Sequence, residues 1–221
     1  MTATYSEPQP IWLAHRNARL SIRRMGQPQP KNRITPQEYL RRERASEFKN
    51  EFLNGEIFAM SGGTPRHSLI KTNVTGELRD HPCTAYDSDL RVKVEATGLY
   101  AYPDASVICG PLEYDDERSD TVLNPTVLVE VLSPSTEAFD RGKKLNHYRR
   151  IESLQEYLLI SQDEPRIQRY LRNADNTWTL TDAADLVESL HLPSLGIDLS
   201  LSEVYAKVDF SQAAVELPQG M

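Results

Sequence analysis

The spacing of apolar positions changes repeatedly along this chain, and each change predicts an element. Helical spacing comes first. In "ITPQEYLRRERASEFKN" Thr35 can cap, Pro36 suits the first helical position and Glu38 completes a capping box, so a helix starts there. "EFLNGEIFAM" then sets apolar residues on both sides of Asn54-Gly55, a pair that tolerates positive φ, which predicts a hairpin with Glu51 on its first arm. Beyond "SGGTP", Leu69, Ile70, Val74 and Leu78 recur at helical spacing and predict a second helix with His67 in its first turn. From Thr84 to Ser133 the period falls to two, and "LRVKV", "YAYPDASVIC" and "TVLVEVLS" read as strands. "EAFDRGKKLNHYRRI" returns to helix; "EYLLIS", "RIQRYLR" and "TWTLT" supply further strands before a short closing segment around "SLSEVYAKV". This order predicts an α/β domain, a mixed sheet flanked by helices, with no internal repeat.

Two carboxylates interrupt the strand pattern. On an alternating strand Leu128, Glu130 and Leu132 share one face and Val127, Val129 and Val131 the other, so Glu130 is embedded in apolar surface. A buried carboxylate costs several kcal/mol unless it is paired, protonated or bound to a metal. Asp104 follows Pro103 at the mouth of the preceding strand. If the two strands pair antiparallel, Asp104 and Glu130 arrive at the same end of the sheet. Two carboxylates brought together repel unless a cation sits between them, and Mg²⁺ or Mn²⁺ prefers such oxygen ligands. Spacing alone leaves a structural alternative open: Glu130 pairs with a neighbouring Arg or Lys, and Asp104 caps the turn after Pro103.

Composition bounds these readings. The chain has 221 residues, 39% of them hydrophobic, enough for one domain with a real core. Cys83 and Cys109 are the only cysteines, too few for a disulfide framework, and read as isolated thiols they point to a reducing compartment, the cytoplasm. No stretch reaches the roughly 18 apolar residues of a membrane span, and no signal peptide pattern appears. A net charge of −7 argues against a protein that coats nucleic acid non-specifically, but a local basic face remains compatible with a nucleic-acid site. Between Pro8 and Gln37 lie six Lys or Arg and no acid, beside "EPQP" and "GQPQP", so residues 1–33 are expected to form a disordered basic tail. That tail reads as an upstream extension before a working start at Met25, with an organelle transit peptide as the alternative. Residues 209–221 are expected to form a C-terminal tail.

Pro-Asp, a hydrophobic strand with a central Glu, and a basic helix together resemble the PD-(D/E)XK nuclease superfamily. More closely, the chain resembles the Uma-two family of restriction-endonuclease-like proteins, from about Ile34 to Val208, through "EFLNGEIFAMSGGTPRHSLI", "YPDASVI", "LVEVLSPST", "DRGKKLNHYRRI" and "SLQEYLLI". The resemblance implies a restriction endonuclease-like core with an added N-terminal helix and β-hairpin. It also implies a divalent metal, Mg²⁺ or Mn²⁺, held by Asp104 and Glu130. The wider superfamily places Lys two residues after the Glu, where this chain has Leu132. The family's Lys-Leu-x-x-Tyr signature instead matches "KLNHY" and picks out Lys144, with the adjacent Lys143 pointing about 100° away on a helix. Leu145 and Tyr148 define the buried side of the helix next to Lys144, which is expected to orient the attacking water and offset transition-state charge. Arg141, Lys143, Arg149 and Arg150 fit a solvated face or phosphate contacts. His67 and Glu51 also match the family pattern; His67 as an orienter of water or phosphate and Glu51 as an added ligand stand beside a helix-capping His and a hairpin-surface Glu.

The function this implies is a metal-dependent endonuclease that hydrolyses phosphodiester bonds in DNA by one-step attack of water, with DNA as partner, no membrane, and a homodimer left open. The alternative is a nuclease-fold nucleic-acid-binding or regulatory module that does not cleave. A glycosidase using Asp104 and Glu130 as acid and base ranks last, because no aromatic sugar platforms surround them.

Overall fold

The computed structural model describes residues 33–60, 62–79 and 82–211. The expected basic tail (apart from Arg33), the proposed start at Met25 and most of the expected C-terminal tail lie outside the described residues. Helix α1 (Pro36–Glu43) starts as its cap predicts, with the Thr35 hydroxyl accepting from the Glu38 amide at 3.1 Å. The hairpin β1 (Asn50–Leu53) and β2 (Glu56–Ala59) turns on Asn54 and Gly55, at φ +52° and +87°, the left-handed pair that an Asn-Gly turn supplies cheaply. Helix α2 (Pro65–Glu77) is capped by Thr64, which accepts from the His67 amide, and buries Ile70, Val74 and the following Leu78.

The run read from sequence as one strand, "YAYPDASVIC", is divided. β5 (Leu99–Ala101) and β6 (Ala105–Ile108) belong to different sheets, and the chain crosses between them at Pro103-Asp104. Proline has no backbone N–H to continue a ladder, which favours a break there. The single mixed sheet of the sequence reading is accordingly two larger sheets and a small one. The first is ordered β2-β1-β5-β4-β7, with β4 (Arg91–Val94) and β7 (Thr121–Val122). The second is ordered β11-β10-β9-β8-β6-β3 and combines parallel and antiparallel pairs. Its strands are β3 (Thr84–Asp87), β8 (Val127–Val131), β9 (Glu156–Ile160), β10 (Ile167–Arg172) and β11 (Trp178–Ala183). A two-stranded ribbon, β12 (Ser189–Leu192) and β13 (Ile197–Ser200), precedes the short helix α5 (Leu201–Val204).

The six-stranded sheet separates two apolar clusters. Val127, Val129 and Val131 join Ile70, Val74, Ala105 and Val107 on one face, whereas Leu128 and Leu132 join Leu145, Tyr148 and Tyr157 on the other. The alternation read along β8 is thus the division between the two halves of the core.

One expectation is overturned. Cys83 and Cys109 are not isolated thiols: they form a disulfide, with Cα atoms 4.4 Å apart. β3 and β6 pair antiparallel with Thr84 opposite Ile108, so the two cysteines are the next pair along the same ladder. Direct cross-strand neighbours at that separation lie within bonding reach, and cysteine usage no longer argues for a reducing compartment. No described helix is long and apolar enough to cross a membrane.

Candidate functional site

The seam between the two sheets gathers the acidic residues. β6 and β8 pair antiparallel with Ala105 opposite Val129, and one step outward in that register Asp104 stands opposite Glu130. Glu51 reaches the same place from β1, whose partner β5 leads directly into the Pro103-Asp104 crossing. Opposite them lies one uninterrupted helical segment: α3 (Glu137–Phe139), a π turn (Asp140–Lys144) and α4 (Leu145–Tyr148). A π turn closes hydrogen bonds one residue later than an α turn and is frequent at functional sites. Here it buries both Asp140 and Lys144 while Lys143 faces solvent.

Lys144 Nζ is the hub. It lies 2.8 Å from Glu130 Oε1, 3.0 Å from Glu51 Oε1 and 3.6 Å from Asp140 Oδ1, and all four side chains are nearly shielded from water. Glu130 Oε1 also accepts from the Tyr148 hydroxyl at 2.9 Å, so the helix that supplies the lysine also orients the glutamate. Asp104 is held differently: its Oδ2 accepts from the Val131 amide at 2.8 Å and lies 3.4 Å from His67 Nε2. His67 Nε2 is 3.0 Å from the Val131 carbonyl oxygen, a pure acceptor, which assigns the proton to Nε2. A Cβ on Gly63 would come within 2.8 Å of His67 Nδ1, so only glycine lets the backbone pass beneath the ring.

These surroundings separate the carboxylates electrostatically. Burial pushes the Glu130 carboxyl well up; Lys144 opposes this, but Asp140, Asp104 and Glu51 reinforce it. Asp140 is also pushed up by burial. Burial works the same way on Asp104, but His67, the Val131 amide and Lys144 together outweigh it and hold its carboxyl below the usual carboxylate range. Lys144 is disfavoured as a cation by burial, yet Glu130, Glu51 and Asp140 more than compensate and keep it firmly protonated. The buried cluster therefore holds more acid groups than cations.

All five residues singled out from sequence meet at this seam: Asp104 with His67, and Glu130 with Lys144 and Glu51. The surface-Glu alternative for Glu51 does not hold, since its side chain is buried against the lysine. Asp140 was missed, although its spacing of four residues from Lys144 in "DRGKKL" was a readable signal. Tyr148 was read only as part of the buried side of its helix; its bond to Glu130 was not foreseen. Arg141 is engaged elsewhere, with Glu137 and Gln168, and Arg149 and Arg150 are exposed.

The donor set fits a hard divalent cation in kind. Asp104, Glu130 and Glu51 offer carboxylate oxygens, and Asp140 Oδ1 is buried without a hydrogen-bond partner. Among the described residues no three acidic, His or Cys side chains form a ready-made cage, because an ammonium already stands between the carboxylates.

Comparison with known proteins agrees with this architecture. The profile of the family Uma2, described as "Putative restriction endonuclease", matches residues 36–203. The uncharacterized protein slr1290 of Synechocystis sp. is 35% identical over 187 residues, which cover 82% of this chain and 96% of the relative. A second Synechocystis protein, sll1609, also uncharacterized, is 36% identical over 153 residues, 67% of this chain and 86% of the relative. Among solved structures, a "putative nuclease belonging to DUF820" from Anabaena variabilis superposes with a TM-score of 0.62 at 21% identity, covering 78% of this chain and 98% of that one.

Proposed function

Since the chain belongs to the Uma2 family, we propose that it is a metal-dependent nuclease that hydrolyses phosphodiester bonds in DNA. The observation that carries this reading is the acid-rich cluster at the seam of the sheets, where one ammonium lies among the carboxylates of Glu51, Glu130 and Asp140, with Asp104 alongside. Asp104 and Glu130 would hold Mg²⁺ or Mn²⁺, with Glu51 beside them. When bound, the cation would supply Lewis-acid polarisation of the phosphoryl group and ease ionisation of the attacking water.

The chain's own residues supply the rest. Lys144 keeps its proton and brings positive charge to where negative charge develops on the phosphoryl oxygens. Tyr148 fixes the Glu130 carboxylate by donating to it. His67 and the Val131 amide pin Asp104, so both carboxylates are set before substrate arrives.

Plasmid nicking with Mg²⁺, and with chelator, tests the reading. Wild type should nick only with the metal. Glu130→Gln keeps the shape and a Tyr148 acceptor but loses the charge, and should abolish nicking. Cleavage that survives excess chelator, or an active Glu130→Gln, would sink the mechanism. A second reading, a nucleic-acid-binding or regulatory module that does not cleave, is favoured by the lysine already bonded to Glu130 and Glu51. DNA binding without cleavage under any divalent metal would select it.

A further inference from the structure

Beyond the acidic seam, the C-terminal end of α4 and the β10–β11 hairpin flank an open-sided cavity of about 350 Å³, lined by Asn146, Arg149, Arg150, Arg172, Asn176 and Trp178. Its volume is at the small end for ligand pockets. Its chemistry is unlike that of an apolar pocket.

Arg172 forms the frame. Its guanidinium donates to the carbonyl oxygens of Leu154, Arg149 and Ile151 and to Asn176 Oδ1, at 2.6 to 3.3 Å. The same group lies 4.7 Å from the centre of the Trp178 ring, directly across the β10–β11 ladder. The indole is therefore braced as a rigid plane rather than a mobile surface side chain. Arg149 and Arg150 are exposed, and among the described residues neither side chain, nor that of Arg172, forms an ion pair. Glu152, also exposed, is the acidic residue that acts on Arg172, while Arg149 repels it. In a chain of net charge −7, three guanidiniums gathered around one cavity repel one another unless an anion joins them.

An anion alone would need neither the indole nor the amides. A nucleotide within a strand uses all three features: its 5′ and 3′ phosphates meet one arginine each, its base stacks on an aromatic plane, and its base edge matches amides that both donate and accept. A base inside a duplex is already stacked on its neighbours, so the plane suits an unpaired one. Arg149, the C-cap of α4, is five residues beyond Lys144. At about 1.5 Å per residue that is roughly 8 Å, the rise of two or three nucleotides of a strand.

We propose that this cavity is a subsite for one nucleotide of single-stranded or unpaired DNA, with Trp178 as stacking plane and Arg149 and Arg150 as phosphate contacts. Its placement beside a cleavage centre rests on the nuclease reading; its ligand chemistry does not.

The test is binding of a fluorescently labelled oligothymidylate six nucleotides long to the full chain, followed by anisotropy in the presence of chelator, where cleavage plays no part. Trp178→Ala should weaken binding roughly 10–100-fold, the scale of losing one stacked base, whereas Trp178→Phe, which keeps an aromatic plane, should stay within a few-fold of wild type. Arg149→Ala combined with Arg150→Ala should reduce the salt slope by about 1.4, because each phosphate of a single strand that is no longer neutralised removes about 0.7. Unlabelled hexamer should compete far better than thymidine monophosphate, inorganic phosphate or a duplex of equal length. The proposal is overturned if Trp178→Phe is as weak as Trp178→Ala, if the double arginine variant keeps the wild-type salt slope, or if inorganic phosphate competes as well as the hexamer. Equal competition by the free monophosphate would overturn the assignment to a strand. These outcomes do not depend on whether the carboxylate cluster cleaves.

Discussion

Lys144 brings one positive charge to the carboxylates of Glu51, Glu130 and Asp140, and that ratio decides what substitutions do. Lys144→Met keeps much of the volume and removes the charge, leaving buried carboxylates uncompensated. Breaking a buried ion pair from one side costs about 3–5 kcal/mol, so the metal-free variant should unfold well below wild type. A divalent cation would then restore charge balance, and the thermal shift on adding Mg²⁺ should be larger in Lys144→Met than in wild type. A variant that melts with wild type in chelator would show that the lysine does not balance the cluster. Lys143→Met is the control: that side chain is exposed, and a change within about 0.5 kcal/mol is expected. The distinction between neighbouring lysines was readable in the sequence from Leu145 and Tyr148, which mark the buried side of the helix.

At the scale of elements, the π turn sets which residues face the seam. Deleting Gly142 would shorten the segment between Asp140 and Lys144 by one residue and swing Asp140 by about 100° relative to the lysine. The expected result is a folded protein without metal-dependent nicking, checked by circular dichroism and the plasmid assay together; retained nicking would mean the turn's register is immaterial. Gly142→Ala has the opposite expectation. A Cβ there meets no atom within 4 Å, so the substitution should stabilise by about 0.5–1 kcal/mol through reduced freedom in the unfolded chain. The β3–β6 ladder carries another element-scale prediction. Its disulfide closes a loop with a sequence separation of 26, for which chain entropy gives about 3.5 kcal/mol. At about 2–4 °C per kcal/mol for a domain of this size, a reductant should lower the melting temperature by roughly 7–14 °C, and Cys83→Ser should abolish the response. An unchanged midpoint under reductant would show that the bond contributes no stability.

For the whole molecule, the cluster couples stability to pH and, on the proposed function, to metal. Glu130 and Asp140 have carboxyls pushed up by burial, so the folded protein binds their protons more tightly than the unfolded chain does. Their contribution is fully present below the unfolded pKa of about 4 and is lost as pH rises from there through the folded values. Asp104 runs the other way: held below its ordinary range, it stabilises above the unfolded pKa and loses that contribution as pH falls. A divalent cation held as proposed would compete with the protons on Glu130, so the rise in melting temperature caused by Mg²⁺ should be greater at pH 8 than at pH 5.5. A metal shift that is flat with pH, or larger at the acid end, would contradict a cation held by this carboxylate. Short-range rules made part of this molecule legible from its residues alone: the cap at Thr35, the turn at Asn54-Gly55, and the alternation that buries Glu130 while separating the two halves of the core. Each depends on φ/ψ preference or on the period of a strand or helix, which a few neighbouring residues specify. The shared end of Asp104 and Glu130 followed from one added assumption, antiparallel pairing. Packing in three dimensions was needed to show that Glu51 turns inward, that the π turn buries Asp140 with the lysine, that "YAYPDASVIC" crosses between two sheets, and that Cys83 meets Cys109. These contacts join residues far apart in the chain or depend on which way an irregular turn aims a side chain, and local periodicity does not encode which distant strands become neighbours.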